Sequence, residues 1–111
     1  MSTFVPQPVP FVVRAALDAT EARDTDELLT VIAEDGTVED RGRTYRGTAE
    51  IREWSDREFI GRHVALDDLS CVSHGDEHAV HAAVTGDDLV RQATLTFTVA
   101  GGLISRVRVD G

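Results

Sequence analysis

With 111 residues the chain has room for one hydrophobic core and not two, so a single domain is expected. Its formal charge of −9 argues against nucleic acid or an anionic membrane as partner, because phosphate recognition needs a basic face. All 11 basic residues are arginine, which excludes Schiff-base lysine chemistry and the phosphate-loop lysine and hints at a GC-rich bacterial genome.

The first eight residues, with Pro6 and Pro8 among valines, read as an extended segment, followed by a domain over residues 9–111. Val9, Val12, Val13, Ala16, Leu17 and Thr20 recur at helical spacing and predict a first helix over 9–21, with proline in its first turn. Asp24, with Glu27 three residues on, is a good N-cap for a second helix that turns Leu28, Leu29 and Ile32 inward and ends near Glu34-Asp35-Gly36. Residues 37–40 and 43–46 predict a short hairpin turning at Arg41-Gly42. Thr48 then caps a third helix to about Phe59, with Ile51, Trp54 and Ser55 on one face.

After Gly61 the period changes to two. Residues 63–73, 77–85, 89–99 and 103–109 read as strands separated by His74-Gly75-Asp76, Gly86-Asp87-Asp88 and Gly101-Gly102. Alternation lapses at Asp67-Asp68, which predicts a bulge. Helices followed by a meander of long strands is an α+β order, with the helices packed on one concave face. Leu89, Arg91, Ala93, Leu95, Phe97 and Val99 form one face of their strand and suit a core. The opposite face, Val90, Gln92, Thr94, Thr96 and Thr98, carries no carboxylate in an acidic chain. It is a candidate homodimer interface or an ordinary solvated sheet face.

The sharpest chemical candidate is Asp40. If Val38 faces the interior, period-two alternation sends Asp40 to the same side and Glu39 to water. Such a carboxylate is a general base if it has a pocket and a substrate proton within hydrogen-bond reach. It is a structural acid if it only accepts backbone or arginine hydrogen bonds. Arg91 shares a face with Leu95 and Phe97, where it would anchor an anionic group, pair with Asp40, or extend to the rim.

Trp54 and Tyr45 offer an indole N–H and a hydroxyl to a bound carbonyl, or serve as core anchors. His63 is a second acid–base candidate or an exposed residue. His78 and His81 point to opposite sides of one strand and His74 lies in a turn, so no metal site is expected. Cys71, the lone cysteine, cannot form an intramolecular disulfide and reads as a buried strand residue. With no basic-then-apolar leader and no apolar run of membrane length, a cytoplasmic location is the default.

Three segments, Ala22-Arg-Asp-Thr-Asp-Glu-Leu-Leu29, Ala33-Glu-Asp-Gly-Thr-Val-Glu-Asp40 and Tyr45-Arg-Gly-Thr-Ala-Glu-Ile-Arg-Glu-Trp54, give the chain a resemblance to the SnoaL-like branch of the nuclear transport factor 2-like superfamily, from about Val9 to Val109. The resemblance implies an α+β cone: three N-terminal helices in the concave face of a strongly curved antiparallel sheet, usually dimeric through the sheet. It implies a pocket between helices and sheet; Tyr45, Trp54, Arg91, Leu95, Phe97 and His63, taken from the residues themselves, are the ligand-contact candidates. That superfamily holds ketosteroid isomerases, polyketide cyclases, dehydratases, epoxide hydrolases and non-enzymatic binding domains, so fold alone does not choose a function.

Asp40 falls where ketosteroid isomerase keeps its proton-shuttling aspartate. That enzyme also uses an oxyanion hole of a tyrosine and a protonated aspartic acid. The matching positions here are close to Ala16 and Leu95, so ketosteroid isomerase activity is not expected. Two readings remain. One is a cofactor-free enzyme moving a proton on a small hydrophobic carbonyl compound, with Asp40 as base. The other is a non-catalytic ligand-binding or dimeric association module.

Overall fold

The structure is a computed structural model that describes residues 9–87 and 89–110, without the side chains of Asp68 and Leu89. The extended segment expected over 1–8, and Asp88 of the second predicted turn, lie outside the described residues. Helix α1 (Phe11–Glu21) starts directly after Pro10, whose φ of −55° suits a helix and whose carbonyl accepts from the Arg14 N–H at 2.8 Å. Its stripe of Val13, Ala16, Leu17 and Thr20 is buried, as the spacing predicts.

Helix α2 (Thr25–Thr30) opens on the expected cap, Asp24 Oδ1 accepting from the Glu27 N–H at 3.0 Å. It stops well before Gly36, however, because strand β1 (Ile32–Asp40) claims the residues assigned to its last turn. The competing partner is β6 (Leu103–Asp110): the Ile104 N–H donates to the Val31 carbonyl at 2.8 Å, and Ile32 pairs with Ile104. Gly36 is therefore not a helix stop. It sits where the β1–β6 register shifts, and a Cβ there would come within 2.8 Å of the Ile32 side chain.

Strand β2 (Arg43–Arg46) completes the predicted hairpin. Helix α3 (Gly47–Glu58) begins one residue before the expected cap at Thr48. Its opening is tied instead by the Arg46 N–H donating to Glu50 Oε1 at 3.1 Å. The remaining strands are β3 (Ala65–His74), β4 (Glu77–Gly86) and β5 (Leu89–Ala100). The β3–β4 register slips between Asp67 and Ser70, where the bulge was expected.

The six strands form one sheet in the order β2-β1-β6-β5-β4-β3, antiparallel throughout except for the parallel β1–β6 pair. Trp54, Ile51, Leu95, Ile104, Val13 and Val80 are the buried centre, where the three α-helices meet the sheet. Each such side chain contributes about 1.5–3 kcal/mol by leaving water. Among the described residues no helix is long and apolar enough to cross a membrane.

Candidate functional site

Parity along β1 decides the direction of Asp40. Val38 is 0% and Asp40 9% exposed, while Glu39 between them turns outward and pairs with Arg106. The strand ends at Asp40 because Arg41 (φ 52°) and Gly42 (φ 78°) both adopt left-handed backbone, the geometry of a tight two-residue hairpin turn.

The Asp40 carboxylate meets α3 directly: Trp54 Nε1–H donates to Asp40 Oδ2 at 2.9 Å. An indole nitrogen can only donate, so this contact occupies Oδ2 and leaves Oδ1 for something else. The donor is rigidly held. Trp54 is 2% exposed, stacks on Phe59 with centroids 4.8 Å apart, and has Tyr45 at 6.4 Å. Among the described residues Asp40 Oδ1 is buried with no hydrogen-bond partner. So is Arg91 Nε. A buried polar atom without a partner costs about 1–3 kcal/mol, and more when charged. Two of opposite character in one place are unusual.

Both residues line one cleft of about 370 Å³, with Glu39, Arg41, Gly42, Arg108, Val109 and Asp110. Strand register makes the cleft. Asp40 pairs with Val109, and the last described β5–β6 pair is Thr94 with Asp110, so residues 89–93 of β5 continue past the end of β6. Arg91 stands on that overhang, on the inward face with Ala93 and Leu95. Glu39 is satisfied by Arg106, and Asp110 by Arg108 at 3.0 Å. Among the described residues, no ion pair engages Asp40, Arg41 or Arg91.

The hollow of the cone is a separate space. Ala16, Leu28, Trp54, Leu95, Phe97 and Val107 are among the residues that close around about 10 Å³, room for one water at most. Thr20 also borders it, but its hydroxyl already donates to the Ala16 carbonyl at 2.9 Å. A pocket between helices and sheet was expected, with Asp40 as the candidate base; the structure separates a filled apolar interior from a polar cleft at the sheet's end that holds Asp40. Asp40 and Arg91 share the cleft, and Trp54 joins the two spaces. Leu95 and Phe97 pack in the interior. Tyr45 is half-buried against Trp54, with the Arg43 guanidinium 5.3 Å above its ring. His63 lines neither space: it is exposed, left-handed at φ 54°, and 3.2 Å from Asp87.

Arg108, Val109 and Asp110 are cleft residues that the sequence reading missed. Their signal was a parallel β1–β6 pairing, which local patterning does not reveal. Elsewhere, Ser73 Oγ and His78 Nδ1 are hydrogen-bonded at 2.7 Å on one side of the sheet, and His81 Nδ1 and Thr94 Oγ1 at 2.9 Å on the other. Among the described residues no group of three or more His, Cys, Asp or Glu side chains converges as metal ligands do.

The sequence pattern described as SnoaL-like domain matches residues 13–107. A candidate polyketide cyclase from Sinorhizobium meliloti is 29% identical, with a TM-score of 0.84 over 92% of this chain and 95% of its own. A candidate ketosteroid isomerase from Kribbella flavida is 21% identical, with a TM-score of 0.72 over 88% and 73% of the two chains. A computationally designed 17-OHP binder is 17% identical, with a TM-score of 0.75 over 90% of each. The latter two likenesses concern the fold alone. No curated protein matches the sequence.

Proposed function

The chain belongs to the SnoaL-like domain family, and from that premise we propose that it transfers a proton, without a cofactor, on a small carbonyl compound held in the cleft at the end of β1. Asp40 Oδ1 is the base. Trp54 holds the carboxylate in place through Oδ2, and Arg91 orients the substrate. The observation carrying this reading is the division of labour within one carboxylate: one oxygen fixed by a rigid donor, the other buried at the cleft without a partner.

In the reaction, a C–H bond next to a carbonyl breaks, its proton moves to Oδ1, and its electron pair enters the enolate. Return of the proton to another atom completes an isomerisation; attack by the enolate carbon on a second carbonyl would complete a cyclisation. Without tyrosine or acid donors at Ala16 and Leu95, the interior offers no oxyanion hole. A missing oxyanion donor typically costs about 3 kcal/mol of barrier, which restricts the chemistry to carbon acids that are already activated. The closed interior excludes a fused-ring ligand from the hollow and confines the substrate to the cleft.

Deuterium incorporation into 2,4-pentanedione tests the reading. The protein should accelerate exchange over buffer, and Asp40→Asn should lose about a hundredfold or more of that acceleration. Equal rates would remove Asp40 as base. The filled interior supports a second reading, a non-catalytic binding module, for which no acceleration is expected. In either case the outward face of β5 and of β4 from Ala79 to Thr85 carries no carboxylate, and, bordered by Glu77 and by the Glu39–Arg106 and Arg108–Asp110 pairs, it supports association of two copies through the sheet.

A further inference from the structure

We propose that the compound taken by this cleft is a small carbonyl acid, its carboxylate held by Arg91 and its activated C–H presented to Asp40 Oδ1. The inference rests on the proton-transfer reading and specifies its substrate class. Its basis is the charge arithmetic of the lining. Six charged residues border the cleft: Glu39, Asp40, Asp110, Arg41, Arg91 and Arg108. Glu39 is neutralised by Arg106 and Asp110 by Arg108, which leaves two cations and one carboxylate of the lining outside any ion pair among the described residues. The Arg91 Nε is buried, with no acceptor among the described residues.

The missing partner of Arg91 is thus an acceptor, and that of Asp40 Oδ1 is a donor. Water could satisfy each separately. A carbonyl acid engages both with one molecule: its carboxylate takes the guanidinium fork in two parallel hydrogen bonds, and its acidic C–H is presented to Oδ1 as the proton to be removed. The fork also reaches the neighbouring enolate oxygen of a 3-oxo acid, placing a cation where charge develops in a site that lacks other oxyanion donors. A neutral ketone of the same size would leave Arg91 Nε as it is. The net charge of −9 does not oppose this, because charges farther than about 8 Å away are screened at physiological salt.

On binding, the C2–H bond of the acid breaks, Oδ1 takes the proton, and the electron pair enters the C2–C3 enolate. In deuterated water the protonated Asp40 exchanges and returns a deuteron to C2, so each turnover replaces one hydrogen by deuterium and regenerates the carboxylate.

The test uses acetoacetate and its neutral methyl ester, with the single tryptophan as reporter. The one indole N–H resonance is that of Trp54, which touches Asp40. Acetoacetate should shift this resonance saturably, with the ester binding roughly thirtyfold more weakly or worse. Arg91→Gln, checked for folding by circular dichroism, should lose the preference for the acid over the ester. Equal binding of acid and ester by the unaltered protein, or an acid affinity unchanged in Arg91→Gln, overturns the inference. The first of these needs no variant to fold. Deuterium exchange in the same samples keeps the two ideas apart. If the ester is exchanged faster by the protein than by Asp40→Asn, proton transfer stands without the acid. If the acid binds through Arg91 but exchanges no faster than in buffer, proton transfer falls and acid binding alone remains.

Discussion

The Trp54–Asp40 hydrogen bond can be isolated energetically by a double-mutant cycle. Trp54→Phe removes the N–H that reaches Asp40 Oδ2 at 2.9 Å and leaves a carboxylate with both oxygens buried and unpartnered. The same change also shrinks a ring stacked on Phe59, so the single variant mixes lost packing with a lost hydrogen bond. Repeating Trp54→Phe in an Asp40→Ala background retains the packing loss and removes the electrostatic one. The difference is the coupling, for which a hydrogen bond to a charged acceptor predicts about 1.5–3 kcal/mol. For 111 residues the unfolding entropy is about 0.23 kcal/mol per kelvin, so the coupling corresponds to roughly 6–13 °C in Tm. Urea unfolding should be followed by far-ultraviolet circular dichroism, since Trp54→Phe removes the only tryptophan. A coupling below about 0.5 kcal/mol is within ordinary non-additivity and would refute the rigid carboxylate on which the site depends.

The filled hollow predicts that Leu95→Ala, at a side chain 1% exposed, destabilises by about 2–5 kcal/mol in urea unfolding. A loss under about 1 kcal/mol would show a loosely packed interior. If two copies meet through the outward sheet face, sedimentation velocity should show a dimer, and Thr96→Glu should give a folded monomer because association would bury an added charge. A monomer before substitution would refute the association.

The residues that local rules govern were legible before any coordinates. Asp24 caps α2 because its side chain lies beside the free N–H groups of its own turn. Asp40 could be aimed because Val38 announces the inward face two residues earlier and strand parity admits one answer. The Asp67 bulge showed as a break in alternation for the same reason. What sequence did not yield depends on a distant partner. Residues 32–36 carry a helical continuation and a strand equally well, and β6, some 70 positions later, decides between them by pairing with Ile32. The same parallel pair brings Val109 and Asp110 beside Asp40. Without it, the cleft at the sheet's end could not be distinguished from the hollow of the cone. Arg91 was singled out as a charge on an apolar face, but its unpartnered nitrogen follows from the overhang of β5 past β6, a matter of strand lengths in three dimensions.

A crystal structure of the protein with 2,4-pentanedione tests the central claim most directly. The predicted result is the diketone in the cleft, Asp40 Oδ2 still on the Trp54 indole, and Oδ1 about 3–3.5 Å from the carbon between the two carbonyls. An Oδ1 turned to solvent or to a backbone amide, with the diketone bound elsewhere, would contradict it.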